Sequence, residues 1–422
     1  MNPQSPAYDL AVVGAGAAGL MAAITAARQG LRVLLLDGKE KPGAKILMSG
    51  GTRCNVTNFQ VTPEDYETET PRALRNILQA FPSEAAAAFF ENLGVSLVLE
   101  EGGKYFPATH SAKTVLEALI KEASLAGVCL KAGFKVGEAV FLEKNFYLRG
   151  QDFEFRAPFL ILATGGLSYP GTGSDGSGFE IAKAFGHGLI PTTPSLTPLL
   201  SDDPAWKSLS GIAVSCRLGL WKEGRKVIDF SAPILFTHFG FSGPAALNIS
   251  RHWIRMKDSA GLELAAHFLE AVSETEFRSF LQTERSNAPG ISVKKFMSRF
   301  FPERFAGVVL SKTGIAETTP LGQWPKADSD RVIGFLRHAP LQVRDVFGYQ
   351  KAEATAGGVD LRELDSRTLE SKLRPGLFFA GEMLDVDGRI GGFNFQWAWS
   401  SGRAAALGVA KKIADVQPQA SS

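Results

Sequence analysis

The chain has 422 residues, 45% of them apolar and 21% charged; this is a globular composition on a chain too long for one hydrophobic core, so two or three domains are expected. A formal net charge of +2 gives no electrostatic reason to expect a nucleic acid or a membrane surface as partner. Three widely spaced cysteines, Cys54, Cys129 and Cys216, form neither a disulfide framework nor a zinc site, so a reducing cytoplasmic setting and no metal are expected.

In chain order, Tyr8–Val13 reads as a short buried strand and Gly14–Gly19 as a glycine turn. Leu20–Gln29 reads as a helix of small apolar residues, ended by Gly30, and Leu31–Leu36 as a second strand closed by Asp37. The apolar run Leu10–Ala27 lacks a basic leader, so it is not read as a signal peptide. No run of about 18 uninterrupted apolar residues occurs, so no membrane insertion is expected. Gly43–Asn58 is rich in glycine and polar residues and reads as a loop. Pro71–Phe81, Ser83–Leu93 and Ala112–Ala126 are predicted helices; Val95–Leu99 and Lys104–Phe106 are predicted strands. Phe159–Ala163 is a buried strand running into Thr164-Gly165-Gly166, followed by a helix over Phe179–Phe185.

Pro191, Pro194 and Pro198 cluster where the composition changes, which suits a domain crossing. Strand-like runs follow at Ile212–Trp221, Lys226–Phe230, Ile234–Phe239 and Leu262–Leu269, then a helical stretch from Ser273 to Leu341. Glu353–Val359 returns to strand and turn character. Leu377–Ala380 is a strand, Gln396–Lys412 a final helix and Pro418–Ser422 a frayed tail. The ends share one character and the middle differs. The expected architecture is an α/β nucleotide domain of Rossmann type over 1–192 and 344–415, interrupted over 193–343 by an inserted β-barrel and helical domain.

The first strand, turn, helix, second strand and acid stand in register as a dinucleotide-binding unit. Gly14 permits the tight turn, Gly16 lets the backbone approach a diphosphate, and Gly19 lets the helix pack on the strand. Ala17 and Ala18 open a helix whose free N–H groups face the phosphates. Asp37, with Gly38 behind it, is placed to accept hydrogen bonds from the adenosine ribose.

Three further segments point to FAD. Lys45, Ser49, Gly50, Gly51, Asn55, Thr57 and Asn58 lie in a loop able to thread past a flavin and hydrogen-bond its polar edge. Ala163, Thr164 and Gly165 close a strand in a manner common to flavoproteins. Gly381, Glu382, Asp385, Gly391, Gly392, Phe393 and Asn394 combine a carboxylate able to hold ribityl hydroxyls with a helix start near the flavin N1–C2=O edge.

These motifs, KILMSGGTRCNVTN at 45–58, ATGGLSYPGTGSDGSGF at 163–179, LFTHFGFSGPA at 235–245 and GEMLDVDGRIGGFNFQWAWSSGRAA at 381–405, resemble those of the HI0933-like, BaiN-type NAD(P)/FAD-dependent oxidoreductases. The resemblance runs from about Tyr8 to Leu407. It implies an FAD domain of glutathione-reductase type with an inserted β-barrel and helical domain. Thr52 and Ala44 depart from it, standing where relatives commonly carry glycine and a basic residue.

Three residues are weak catalytic candidates. Cys54 sits in the flavin loop but has no CxxC companion, so a structural role is expected. His238 is able to donate a proton to a substrate carbanion; the plainer reading is a satisfied structural histidine. Arg389, with Asp385 and Asp387, lies between two flavin-contacting stretches and either orients a substrate or caps a loop. Arg53 and Lys45 reach a phosphate, the flavin edge or solvent. At least two of Phe393, Phe395, Trp397 and Trp399 are expected to serve helix packing, and Lys294, Lys295 and Arg299 a solvated face.

The expected activity is an FAD-dependent oxidoreductase. Hydride would pass from NADPH or NADH through the flavin to a small organic acceptor, with a conjugated C=C raised by the resemblance. No second glycine-rich βαβ unit offers a nicotinamide site, so the donor would use the inserted domain or the flavin cleft. The alternatives are an oxidase or dehydrogenase using oxygen or quinone, and a non-catalytic or RNA-associated FAD-binding protein.

Overall fold

A computed structural model describes residues 8–150, 153–270 and 272–416. The expected tail at Pro418–Ser422 lies outside the described residues. By their contacts these divide into two compact units, one of residues up to Pro194 together with Glu353 onward, the other Ser195–Ala352.

The first unit is built on a parallel sheet. Its strands are β1 (Leu10–Val13), β2 (Val33–Leu36), β3 (Cys129–Lys131), β4 (Phe159–Leu162) and β5 (Leu377–Phe379), in the order β5-β4-β1-β2-β3. The sequences LAVV, VLLL and LFF are buried at every position, as a sheet covered on both faces requires. Helix α1 (Ala17–Arg28) connects β1 to β2, and α2 (Phe393–Val416) packs against α1. Gly402 makes that approach possible: a Cβ there would lie 2.3 Å from the Ala18 carbonyl oxygen. Both helices start earlier than their apolar periodicity indicates, because their first turns carry the site's small residues.

Between β3 and β4 lies a three-stranded antiparallel sheet (Glu138–Leu142, Asn145–Arg149, Glu154–Ala157) that the sequence reading missed. Its first hairpin turns at Glu143 and Lys144, both at positive φ (49° and 63°). Such a turn is normally announced by Asn-Gly or Asp-Gly, and that signal is absent here. The proline cluster also falls partly within a strand. Leu189–Ser195 pairs only with Ala354–Val359, and in a two-stranded ribbon the outer edges tolerate Pro191 and Pro194.

The second unit holds a seven-stranded antiparallel sheet. Its order is 339–340, 262–267, 213–222, 225–237, 240–242, 199–200, 345–346. The two outermost strands are joined by only four residues. Leu341 N–H donates to Leu264 O (2.8 Å) and Arg344 N–H to Leu200 O (2.9 Å). Laid flat, six strand spacings would part the edges by about 29 Å, while five residue steps reach about 18 Å. The sheet therefore curls on itself, and residues 341–344 close it. The two strands expected at Lys226–Phe230 and Ile234–Phe239 are one strand, Arg225–Thr237. Pro233 is tolerated because on that side only Leu235–Thr237 is paired. A helix, Gly243–Met256, packs on this sheet. Helices Glu274–Asn287, Glu303–Lys312 and Lys326–Arg337 complete the unit around Trp206, Phe236, Phe305 and Trp324, each at most 2% exposed.

Candidate flavin site

The site belongs to the first unit and begins at the C-terminal end of β1. Gly14 has φ 102°, and a Cβ there would lie 2.4 Å from Ala163 O; at Gly19 it would lie 1.7 Å from Gly14 O. Both glycines are therefore dictated by packing. Gly16 is different, because a Cβ there meets no protein atom within 4 Å. No side chain caps α1 at Gly16, so the first N–H groups of the helix point outward without a protein acceptor. An uncapped helix start beside a glycine that packing does not require fits an anion such as a diphosphate. Asp37 follows β2. Its Oδ2 accepts from Ala15 N–H (2.6 Å) and its Oδ1 from Lys39 N–H (2.8 Å). The carboxylate so braces the turn and keeps lone pairs for hydroxyl donors.

The segment expected as a loop at 43–58 starts as a helix. Ala44–Met48 are strong helix formers and Gly43 stands before them. The helix breaks at Ser49 (ψ 152°), and Gly50, Gly51 and Thr52 all take positive φ. This run turns the chain back towards Asn55. Asn55 Oδ1 is buried without a hydrogen-bond partner, and it lies 2.8 Å from where a Cβ of Gly392 would be. A buried orphan acceptor beside two positive-φ glycines, Gly391 and Gly392, fits an N–H on a ligand edge. Thr57 and Asn58 look inward instead. Thr57 Oγ1 donates to Gln396 Oε1 (2.6 Å), and Asn58 Nδ2 donates to Gly391 O and Gly102 O (both 3.0 Å). They hold the 391–396 segment in place.

A polar crossing lies where three segments meet. Lys45 Nζ donates to Glu382 Oε2 and Ser168 Oγ. Glu382 Oε1 accepts from Ser168 Oγ, from Thr355 N–H (3.1 Å) and from Thr355 Oγ1 (2.8 Å). Leu167 N–H and Ser168 N–H donate to Thr355 Oγ1 in turn (2.8 and 3.1 Å). The Glu382 carboxylate is thus occupied by protein donors on both oxygens. Gly381 N–H donates to Ser401 Oγ (2.9 Å), and Trp397 Nε1 donates to Gly381 O (3.1 Å). Ser168 and Thr355, members of this crossing, were not singled out from the sequence. A hydroxyl gives no periodic signal, and only the fold brings these two to Glu382.

Other expected residues are structural in their contacts. Arg389 Nε donates to Asp65 Oδ1 (2.7 Å), and its guanidinium lies 4.2 Å from the Phe393 ring centre. Arg53 pairs with Glu100 (2.8 Å) over the ring of Phe106. Asp385 is buried and accepts from Glu69 N–H (3.3 Å). Asn394 exchanges two hydrogen bonds with the Gly388 backbone (both 2.9 Å). Ala163 N–H donates to Val13 O (2.8 Å), and Thr164 and Gly165 pack against Gly178 and Ser174. Gly38 packs against Lys135. Phe393, Trp397 and Trp399 are at most 1% exposed, and Trp399 Nε1 donates to Val56 O (2.9 Å), so these rings serve the helix packing. Cys54 is fully buried, and that burial pushes its thiol up to about 12. His238 is exposed at a hairpin turn of the second unit, edge-on to Phe239.

The family model described as the HI0933-like protein Rossmann domain matches residues 8–408. The chain belongs to this family. It is an FAD-dependent oxidoreductase. The chain is 35% identical over 400 residues to a protein of Escherichia coli named ribosomal RNA dihydrouridine synthase, covering 94% of this chain and 97% of that one. It is 30% identical over 406 residues to the 3-dehydro-bile acid delta(4,6)-reductase of Clostridium scindens, covering 96% and 99%. Among solved structures, the 3-ketosteroid delta1-dehydrogenase of Sterolibacterium denitrificans has a TM-score of 0.50 at 14% identity, covering 97% of this chain and 100% of that one; this likeness is one of fold. Among the described residues, no helix of this HI0933-like protein is long and apolar enough to cross a membrane.

Proposed function

We propose that this protein saturates a carbon–carbon double bond conjugated to a ring carbonyl, using electrons from NADPH or NADH. The observation that carries the reading is that two relatives spanning nearly the whole chain are named for this one kind of chemistry. A dihydrouridine is a uracil nucleoside saturated beside a carbonyl, and a 3-dehydro-bile acid delta(4,6)-reductase acts on ring double bonds conjugated to a 3-oxo group.

Uracil in a structured RNA is the acceptor we put first. Residues 195–352 carry 20 Lys and Arg against 15 Asp and Glu, while the rest of the chain carries 25 against 28. The overall balance of charge therefore conceals an inserted unit of positive sign, and an excess of positive charge attracts phosphates. A steroid-like dienone is the second reading, supported by the bile-acid relative.

When bound, FAD supplies the two-electron carrier. The uncapped amides at Gly16–Ala18 would hold its diphosphate, Asp37 its adenosine ribose and Asn55 Oδ1 an N–H of its polar edge. Donor and acceptor then use the same open face in turn, which makes the kinetics ping-pong. The test is anaerobic stopped-flow. Reduction of the bound flavin by NADPH or NADH, followed by reoxidation with unmodified ribosomal RNA or a 4,6-diene-3-oxosteroid, supports the reading. Reoxidation by oxygen or a quinone alone overturns it.

A further inference from the structure

We propose that Glu353 is the proton donor of the reaction, delivering a proton to the carbon next to the substrate carbonyl. The inference rests on the alkene-reductase reading above and adds to it the acid that the chemistry requires.

Adding hydride to an alkene conjugated to a carbonyl leaves an enolate. The hydride forms a C–H bond at the carbon remote from the carbonyl, and the π pair moves onto the carbonyl oxygen. When that pair returns, the carbon next to the carbonyl takes a proton. The flavin ends oxidised and is reduced again by the nicotinamide; the spent acid recovers its proton from water. A general acid for this step works best with an acidity near the working pH and with access to the substrate.

Among the acids considered, Cys54 is fully buried and pushed up to about 12, and His238 belongs to the other unit. Glu382 is committed on both oxygens to Lys45, Ser168 and Thr355. Glu353 is free of such commitments. It is exposed and stands immediately before the strand Ala354–Val359, two residues ahead of Thr355. Side chains two apart on an extended chain share a face, and the Thr355 hydroxyl touches Glu382 and the Ser168 N–H. Glu353 therefore faces the same polar crossing. Lys45 from one segment and Tyr169 from another both act on it electrostatically. The surrounding protein raises its carboxyl above the ordinary range, and the Lys45 charge only partly offsets this. Tyr169, held at φ 49° on the same rim, is shifted upward by burial and by Glu353; it stays protonated and is the weaker acid.

The experiment compares Glu353→Gln, Glu353→Asp and Tyr169→Phe with the wild type, each loaded with FAD. The enzymes are reduced with dithionite, so the donor question does not enter, and mixed anaerobically with ribosomal RNA or a 4,6-diene-3-oxosteroid. Glu353→Gln is expected to slow reoxidation by about 10²-fold or more, with Glu353→Asp recovering part of the rate. Flavin reduction by the nicotinamide should change less than about threefold. In apoprotein and holoprotein alike, difference infrared spectra across a pH titration should show a protonated carboxyl band that Glu353→Gln removes. Wild-type reoxidation in Glu353→Gln, a larger loss in Tyr169→Phe, or no such band near neutral pH overturns the proposal. If the wild type is itself not reoxidised by either substrate, the alkene-reductase reading fails, and the infrared band still decides the state of Glu353.

Discussion

Lys45 and Glu382, 337 positions apart in the chain, form an ion pair at the point where the segments carrying Ser168 and Thr355 also meet. Both side chains are largely shielded, at 25% and 18% exposure. Removing one partner strands the other among donors arranged for it. Glu382→Gln is expected to lower stability by about 2 kcal/mol, the scale of a hydrogen bond to a charged group. Urea unfolding with and without FAD checks this; an unchanged midpoint would show the crossing to be incidental.

The glycine turn separates packing from ligand binding. In Gly16→Ala the new Cβ enters space that no protein atom occupies, so the fold should persist while FAD affinity falls by about tenfold or more. In Gly19→Ala the Cβ would lie 1.7 Å from Gly14 O, and the loss should be one of folding, about 3 kcal/mol or more. Circular dichroism and flavin fluorescence together read the two outcomes. A Gly16→Ala protein with native FAD affinity would contradict the placement of the diphosphate.

Thr52 sits at φ 70°, a left-handed conformation that costs a β-branched residue about 1–2 kcal/mol. Part of that is offset by the extra freedom glycine gives the unfolded chain. Thr52→Gly should therefore stabilise the protein by about 0.5–1 kcal/mol, measured as a shift in thermal midpoint. A destabilised variant would mean that the threonine side chain contributes more than its backbone costs.

Much of the fold was legible, and for identifiable reasons. β1, α1, β2 and the glycine turn follow from an apolar run, three glycines and Asp37 in a fixed register, all local in sequence. The site's polar crossing was legible only in part. Lys45 and Glu382 stand in conspicuous motifs, but Ser168 and Thr355 reach Glu382 through the tertiary fold. The hairpin at Glu143-Lys144 carries no glycine to mark it, and Pro233 hid a continuous strand by resembling a break. The helix at Ala44–Met48 was masked by the glycines that follow it.

His252, in the second unit, is pushed down to about 4 by burial and by the charges of Arg251 and Arg255. Its ordinary value is 6.5, so between about pH 4 and 6.5 the unfolded chain binds a proton that the folded chain refuses. Its contribution to stability is complete above pH 6.5 and is lost as pH falls towards 4, by up to about 3 kcal/mol. Unfolding free energies should decline over that window, and His252→Phe should flatten the slope. An equal slope in both proteins would remove His252 as its source.

The account stands on electron transfer from a nicotinamide to a carbonyl-conjugated double bond. The direct measurement is anaerobic incubation of FAD-loaded protein with NADPH or NADH and unmodified ribosomal RNA, or a 4,6-diene-3-oxosteroid. The product is analysed by mass spectrometry alongside nicotinamide consumption. The expected result is a product heavier by two hydrogen atoms for each nicotinamide oxidised. Nicotinamide consumed only when oxygen or a quinone is admitted, with both alkenes recovered intact, would contradict it.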